Sequence, residues 1–223
     1  MQPANKYEIL CTLVVALLPS GCNTSHPPKY ALNGPLSQAV SDYEESGHQF
    51  DATVWNLAEK YRLKVGMDLE IVPRQKLISV NLHQGNVADV LNAIVAQERG
   101  YSWEETDGTV NIRPRRNANS LLSLRIAHFE VRNTNFDDLN RTILLLPEVK
   151  NWSEAQHLTE RSRGTVIATL VSPGQPLKPL VSLDLHDVTL LDILNRLTSC
   201  PGYYFWEVLR YGDNNQYLTI DIS

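Results

Sequence analysis

Between Ile78 and Glu104 the spacing of hydrophobic positions changes once, and the same change recurs between Val181 and Glu207. Val80 and Leu82 alternate with Ser79, Asn81 and His83, and Leu183 and Leu185 alternate with Ser182, Asp184 and His186. That two-residue period predicts a strand with one buried face. Val87, Val90, Leu91, Ile94 and Val95 then fall on the i, i+3, i+4, i+7, i+8 stripe of an amphipathic helix, and Leu190, Ile193, Leu194 and Leu197 repeat it. Asn86 with Asp89, and Thr189 with Asp192, put a capping side chain ahead of the first turn and an acid three residues on. A hairpin follows each helix. Tyr101 to Glu105 and Thr109 to Ile112 flank the turn-forming pair Asp107-Gly108, and Tyr203 to Leu209 and Tyr217 to Ile222 flank the looser Gly212-Asp213-Asn214-Asn215.

The two stretches align without a gap at an offset of 103, with identities at Ser79/Ser182, Leu82/Leu185, His83/His186, Asp89/Asp192, Leu91/Leu194, Asn92/Asn195, Tyr101/Tyr204, Trp103/Trp206 and Glu104/Glu207. A repeat of this length sets the organisation of the chain. Upstream of the first copy, Val54, Leu57, Ala58 and Tyr61 predict a helix after Phe50, and Leu63, Val65 and Met67 a strand. Upstream of the second, Leu122, Leu124, Ile126, Phe129 and Val131 read as strand, Thr134 with Asp137 as a cap, and Phe136, Leu139, Ile143 and Leu146 as a helix ended by Pro147. If Phe129 stands where Phe50 does, the distance to the repeated part grows from 28 to 52 residues, which places 24 extra residues between Pro147 and Leu180. They include a strand-like run, Thr165 to Val171, and a turn-rich run, Pro173 to Pro179. The expected fold is α+β: two tandem βαββαββ modules, each with two helices packed against small sheets. They span residues 48–114 and 121–223, with a linker at 115–120 and an insertion at about 147–180 that is either a recognition loop or a plain connection.

Ile9 to Leu18 is apolar but shorter than the roughly 20 residues of a spanning helix, and it follows Lys6, as in a signal peptide. Ser20-Gly21-Cys22 resembles the end of a bacterial lipoprotein lipobox, which implies cleavage after residue 21 and lipid attachment at Cys22; Pro19 departs from the usual leucine. Residues 22–47, with Pro27-Pro28, Asn33-Gly34-Pro35 and few periodic positions, are expected to be a flexible tether. Of three cysteines, Cys11 lies in the signal and Cys22 would carry lipid, so Cys200 has no partner for an intramolecular disulfide. With 223 residues, 43% hydrophobic, the chain can build two modest cores. A net charge of -5 argues against nucleic acid as a partner, and the short cluster Arg113, Arg115, Arg116 reads as a solvated linker.

The stretches FDATVWNLAEKYRLKVGMD and KLISVNLHQGNVADVLNAIVAQERGYSWEETDGTVNIRP resemble the short N-terminal domain shared by secretins and TonB-dependent receptors. The resemblance covers about 65 residues of weak positions and concerns fold more than activity. It implies a non-catalytic interaction module on the periplasmic side of the bacterial envelope, held to the membrane by a lipid. The implied partner is an envelope protein of secretin, receptor or regulator type; oligomeric state is left open.

No phosphate-binding loop, HExxH, CxxC or GxSxG motif occurs, so no cofactor and no catalytic residue is expected. His83 and His186 occupy equivalent polar strand positions without a neighbouring ligand in sequence, which favours surface hydrogen bonding over metal binding. Glu104-Glu105 and Asp137-Asp138 lie where acids are ordinary. Strand alternation puts Tyr101 with Trp103, and Tyr204 with Trp206, on one face, either packed under a helix or forming a candidate interaction surface. The alternative function is a small-molecule or glycan binder using these aromatic residues.

Overall fold

The alternating and helical stripes place one apolar face on each element, and the structure closes those faces around a shared sheet. The computed structural model describes residues 34–70, 76–116, 120–161, 180–212, 214 and 216–223, with only the backbone of Phe136 and Asp137. The expected signal peptide and the expected lipid-attachment residue Cys22 lie outside these residues. The described residues form one compact unit of mixed α+β structure.

The first half runs β1 (Ala39–His48), α1 (Phe50–Tyr61), β2 (Lys64–Glu70), β3 (Ile78–Asn86), α2 (Val87–Val95), β4 (Tyr101–Thr106) and β5 (Thr109–Pro114). The second runs β6 (Arg125–Thr134), α3 (Phe136–Leu144), α4 (Pro147–Ala155), β7 (Thr159–Glu160), β8 (Val181–Thr189), α5 (Leu190–Leu197), β9 (Phe205–Tyr211) and β10 (Tyr217–Ile222). Two antiparallel ribbons, β1·β3 and β6·β8, accompany a six-stranded sheet of order β4-β5-β2-β9-β10-β7.

The expected tether is corrected by β1. Residues 34–37 form a 3-10 turn, and Val40 and Tyr43 bury their side chains from a ten-residue strand. The ribbons also correct the alignment of the halves. Tyr43 faces Leu82 and Phe129 faces Leu185, so Phe129 corresponds to Tyr43, and Phe50, first residue of α1, to Phe136, first residue of α3. At this offset of 86 six of the seven recorded β6·β8 pairs have a recorded β1·β3 counterpart, His128↔His186 being the exception, and the match extends to the irregularity before His48↔Ile78 and Thr134↔Val181. Gly47 (φ 79°) and Asn133 (φ 47°) take the same left-handed turn at that irregularity, a conformation these two residue types tolerate best.

The shift from offset 86 to 103 leaves 17 extra residues, not 24. Part of them is helical. Pro147 starts α4 at its first turn, where a missing N–H costs nothing, instead of merely ending α3. The strand-like run Thr165 to Val171 and the turn-rich run after it lie outside the described residues. Leu122 sits in a 3-10 turn, Leu121–Ser123, ahead of β6. The cap of α3 is Asn135, whose side chain accepts from the Asp138 N–H, one residue beyond the expected Thr134. The expected capping boxes at Asn86/Asp89 and Thr189/Asp192 both form.

The halves meet where β2 runs parallel to β9. Gly66 lies beside Trp206, Asp68 beside Val208 and Glu70 beside Arg210. Alternation therefore puts Gly66, Asp68, Trp206, Val208 and Arg210 on one face, and Val65, Met67, Leu69 and Phe205 on the other. The first face carries the second half's core, including Trp206, Val208, Leu218, Ile220, Ile222 and the apolar stripe of α5. Polar residues of the first half end up beneath it: Asp68, Thr109 and Asn111 are all fully buried. Thr109 and Thr198 answer each other across it at 3.1 Å.

Gly66 is the fitted piece. A Cβ there would stand 1.9 Å from the Trp206 indole, so only glycine lets the ring lie on β2. Gly66→Ala is expected to lower stability by at least the roughly 1–3 kcal/mol of ordinary overpacking, seen as a lower urea midpoint; an unchanged midpoint would refute the close approach.

The buried ion pair offers a second check. Arg210 Nη2 lies 2.7 Å from Asp68 Oδ1 without well-directed hydrogen bonds, and burial raises the Asp68 pKa while Arg210 pulls it back. Arg210→Met should cost about 3–5 kcal/mol at neutral pH, and adding Asp68→Leu should restore most of it. Because the folded-state pKa of Asp68 is raised, the stability tied to its protonated form is present at low pH and lost as pH rises through that pKa. The deficit of the single variant should therefore shrink on acidification, read from denaturation curves at pH 7 and pH 5.

Candidate functional site

The repeated Tyr and Trp residues do not assemble into one surface. Trp206 is fully buried (0% exposed) under α5, where its Nε1–H donates to Asn195 Oδ1 at 2.9 Å. This corrects its place in an interaction surface. Trp103 makes the same bond to Asn92 Oδ1, also 2.9 Å, but is only half-buried. Tyr101 packs against Phe50 with tilted rings, centroids 5.4 Å apart, and its hydroxyl accepts from the Glu70 N–H. Of the four, only Tyr204 is largely exposed, at 56%. The two tryptophans also lie on opposite faces of the sheet, since Trp103 pairs with Ile112, Ile112 with Met67, and Gly66 with Trp206. The repeated pair Asn92/Asn195 was the sequence signal for these tryptophan bonds, because a recurring Asn eleven residues before a recurring Trp marks a contact partner.

Tyr204 instead joins Trp55 of α1. Trp55, 41% exposed, meets Phe205 edge-on at 4.7 Å. With Ala58 and Leu63 these rings line an open apolar cleft of about 340 Å³. Nothing in the periodicity of either half points to it, because its walls come from both.

With β7 at the far side, β4 is an edge of the sheet. Its two-residue turn makes Thr106 and Thr109 a paired position, so the backbone groups of Trp103 and Glu105 point away from β5. β9 uses its equivalent positions, Trp206 and Val208, to receive β2.

The ribbons carry the histidines. His83 Nδ1 lies 3.3 Å from Asp42 Oδ1 on the exposed face of β1·β3. On β6·β8 the equivalent of Asp42 is His128, directly across from His186. The two imidazoles stack in parallel, centroids 4.3 Å apart and 4° between planes. Asp184 Oδ1 sits 2.9 Å from His128 Nε2 and 3.1 Å from His186 Nε2. The hydrogen bond from His128, with His186 alongside, holds the Asp184 carboxyl below the usual carboxylate range. Sequence spacing missed this cluster because His128 is 58 residues from His186 and only the strand register joins them.

The remaining candidates have ordinary surroundings. Glu104 pairs with Arg113 of the basic cluster, and Asp138 serves the α3 cap, while the Asp137 side chain lies outside the described residues. Burial pushes the Cys200 thiol up, away from the reactive thiolate. Among the described residues no helix is long and apolar enough to cross a membrane. Neither protein-family models nor characterised proteins give a match to this chain.

The two Trp–Asn bonds differ in burial, and that difference is measurable. Asn195→Ala should cost about 1–3 kcal/mol because it strands a buried indole N–H. Asn92→Ala should cost less, since water can reach Trp103. Equal losses in paired denaturation experiments would contradict the burial difference.

Proposed function

We propose that this chain is a non-catalytic binding and scaffolding lipoprotein of the bacterial envelope, anchored through Cys22 and docking an envelope protein by strand addition along β4. The observation that carries the docking mode is internal. β9, the counterpart of β4 in the repeat, already receives a parallel strand, with Gly66 seated against Trp206. β4 presents the same tryptophan and the same outward backbone groups, and among the described residues no strand pairs with it on that side. An unpaired edge of this kind is a template for an extended segment, with the backbone giving affinity and side-chain fit giving selectivity. The partner segment is therefore an extended one that runs parallel to β4 and carries a small residue against Trp103. The resemblance to the secretin and TonB-dependent-receptor domain and the lipobox-like Ser20-Gly21-Cys22 support the envelope setting.

A second reading has its own observation. The Trp55, Tyr204 and Phe205 cleft is apolar and open, of a size that fits a small ligand. Quenching of tryptophan fluorescence by an envelope ligand, lost in Trp55→Ala, would favour it.

Capture from solubilised envelope membranes tests the main reading. Wild type is expected to retain a reproducible protein that Glu105→Pro, which removes an outward N–H without touching the β4·β5 bonds, loses. If no protein is retained, the scaffolding reading fails; if the variant retains it equally, docking lies elsewhere on the surface.

A further inference from the structure

We propose that His128, Asp184 and His186 form a site for a divalent transition-metal ion of the zinc type, on the exposed face of the β6·β8 ribbon. Two imidazole nitrogens and a carboxylate are a donor set that such ions favour over calcium or magnesium, which prefer oxygen alone. All three ligand atoms lie within 4.8 Å of one another. The spacing suits coordination. Ligands bound tetrahedrally at about 2.0–2.1 Å stand roughly 3.3 Å apart, and Asp184 Oδ1 is 2.9 and 3.1 Å from the two Nε2 atoms. A small rotation of exposed side chains opens that distance.

The backbone beneath is fixed. Phe129, Val131 and Val181 bury the other face of the ribbon in the core, and the register holds His128 opposite His186. The stacked rings bring both Nε2 atoms close to the same carboxylate oxygen, at 2.9 and 3.1 Å. In the metal-bound form each imidazole carries its proton on Nδ1 and offers the Nε2 lone pair, and the cation replaces the hydrogen bond between His128 and Asp184. Glu130, across from Asp184, is held by Arg132 at 2.6 Å. Three protein ligands therefore leave the fourth position to water or to a donor from outside the chain, the arrangement of an open zinc site.

The first half supplies an internal comparison. The positions equivalent to His128, Asp184 and His186 are Asp42, Asn81 and His83, which offer one imidazole and one carboxylate. That ribbon lacks the second nitrogen donor. The site thus belongs to the second half alone, and it is independent of strand docking at β4.

The test is calorimetric titration of the untagged full-length protein with Zn²⁺ alone, beside His128→Ala, His186→Ala, Asp184→Asn and His83→Ala. Wild type and His83→Ala are expected to bind one ion with the same affinity. Each variant of the three ligands should bind more weakly by at least the roughly 10–100-fold that follows loss of a mere supporting partner. Far-UV circular dichroism is the control that the variants stay folded, the outcome expected for substitution of exposed side chains. No binding by wild type, or binding that survives both histidine substitutions, overturns the proposal.

Discussion

The contact of Gly66 with Trp206 decides how the two halves sit together. A side chain at residue 66 would occupy the space of the indole, so the parallel pairing of β2 with β9 requires a bare backbone there. Once that pairing is made, one sheet serves both halves. The helices of the first half cover the face with Val65 and Met67, and α5 covers the face with Trp206 and Val208. Each half thereby hides a surface that would be its solvent side if it stood alone. This accounts for Asp68, Thr109 and Asn111, polar side chains with no exposure. Asp68 and Thr109 meet partners from across the seam, Arg210 and Thr198, while Asn111 donates to the Thr109 carbonyl of its own half, so the seam is specific as well as tight.

The sequence was most legible where local chemistry and period agreed. Both capping boxes, the helical stripes of α2 and α5 and the Asp107-Gly108 turn, both of whose residues have positive φ, form as their residues predict. It was least legible where an element draws its identity from a distant partner. β1 has few periodic apolar positions, because Val40 and Tyr43 are its anchors and the rest of its pattern is polar. Proline at 147 reads as a stop when only α3 is in view, yet it suits the first turn of α4 equally well. The placement of Phe129 against Phe50 failed because two aromatic residues of the second half, Phe129 and Phe136, compete for one match, and only the ribbon register separates them.

The same division runs through the candidate sites. Repetition singled out Trp103 and Trp206, but it could not say that one ring would be enclosed and the other left half open. That outcome goes with β9 having a neighbour where, among the described residues, β4 has none. Nor could spacing join His128 to His186 or Trp55 to Phe205, since both pairs are made by folding across long separations.

The seam joins unlike edges: β2 of one half and β9 of the other. A joint of this kind has polarity, like the links of a chain in which every link offers a hook on one side and an eye on the other. Two identical edges meeting about a twofold axis would have used each other up. Among the described residues the eye on β4 remains after the joint is complete, so lengthening the sheet from that side would need no new kind of contact.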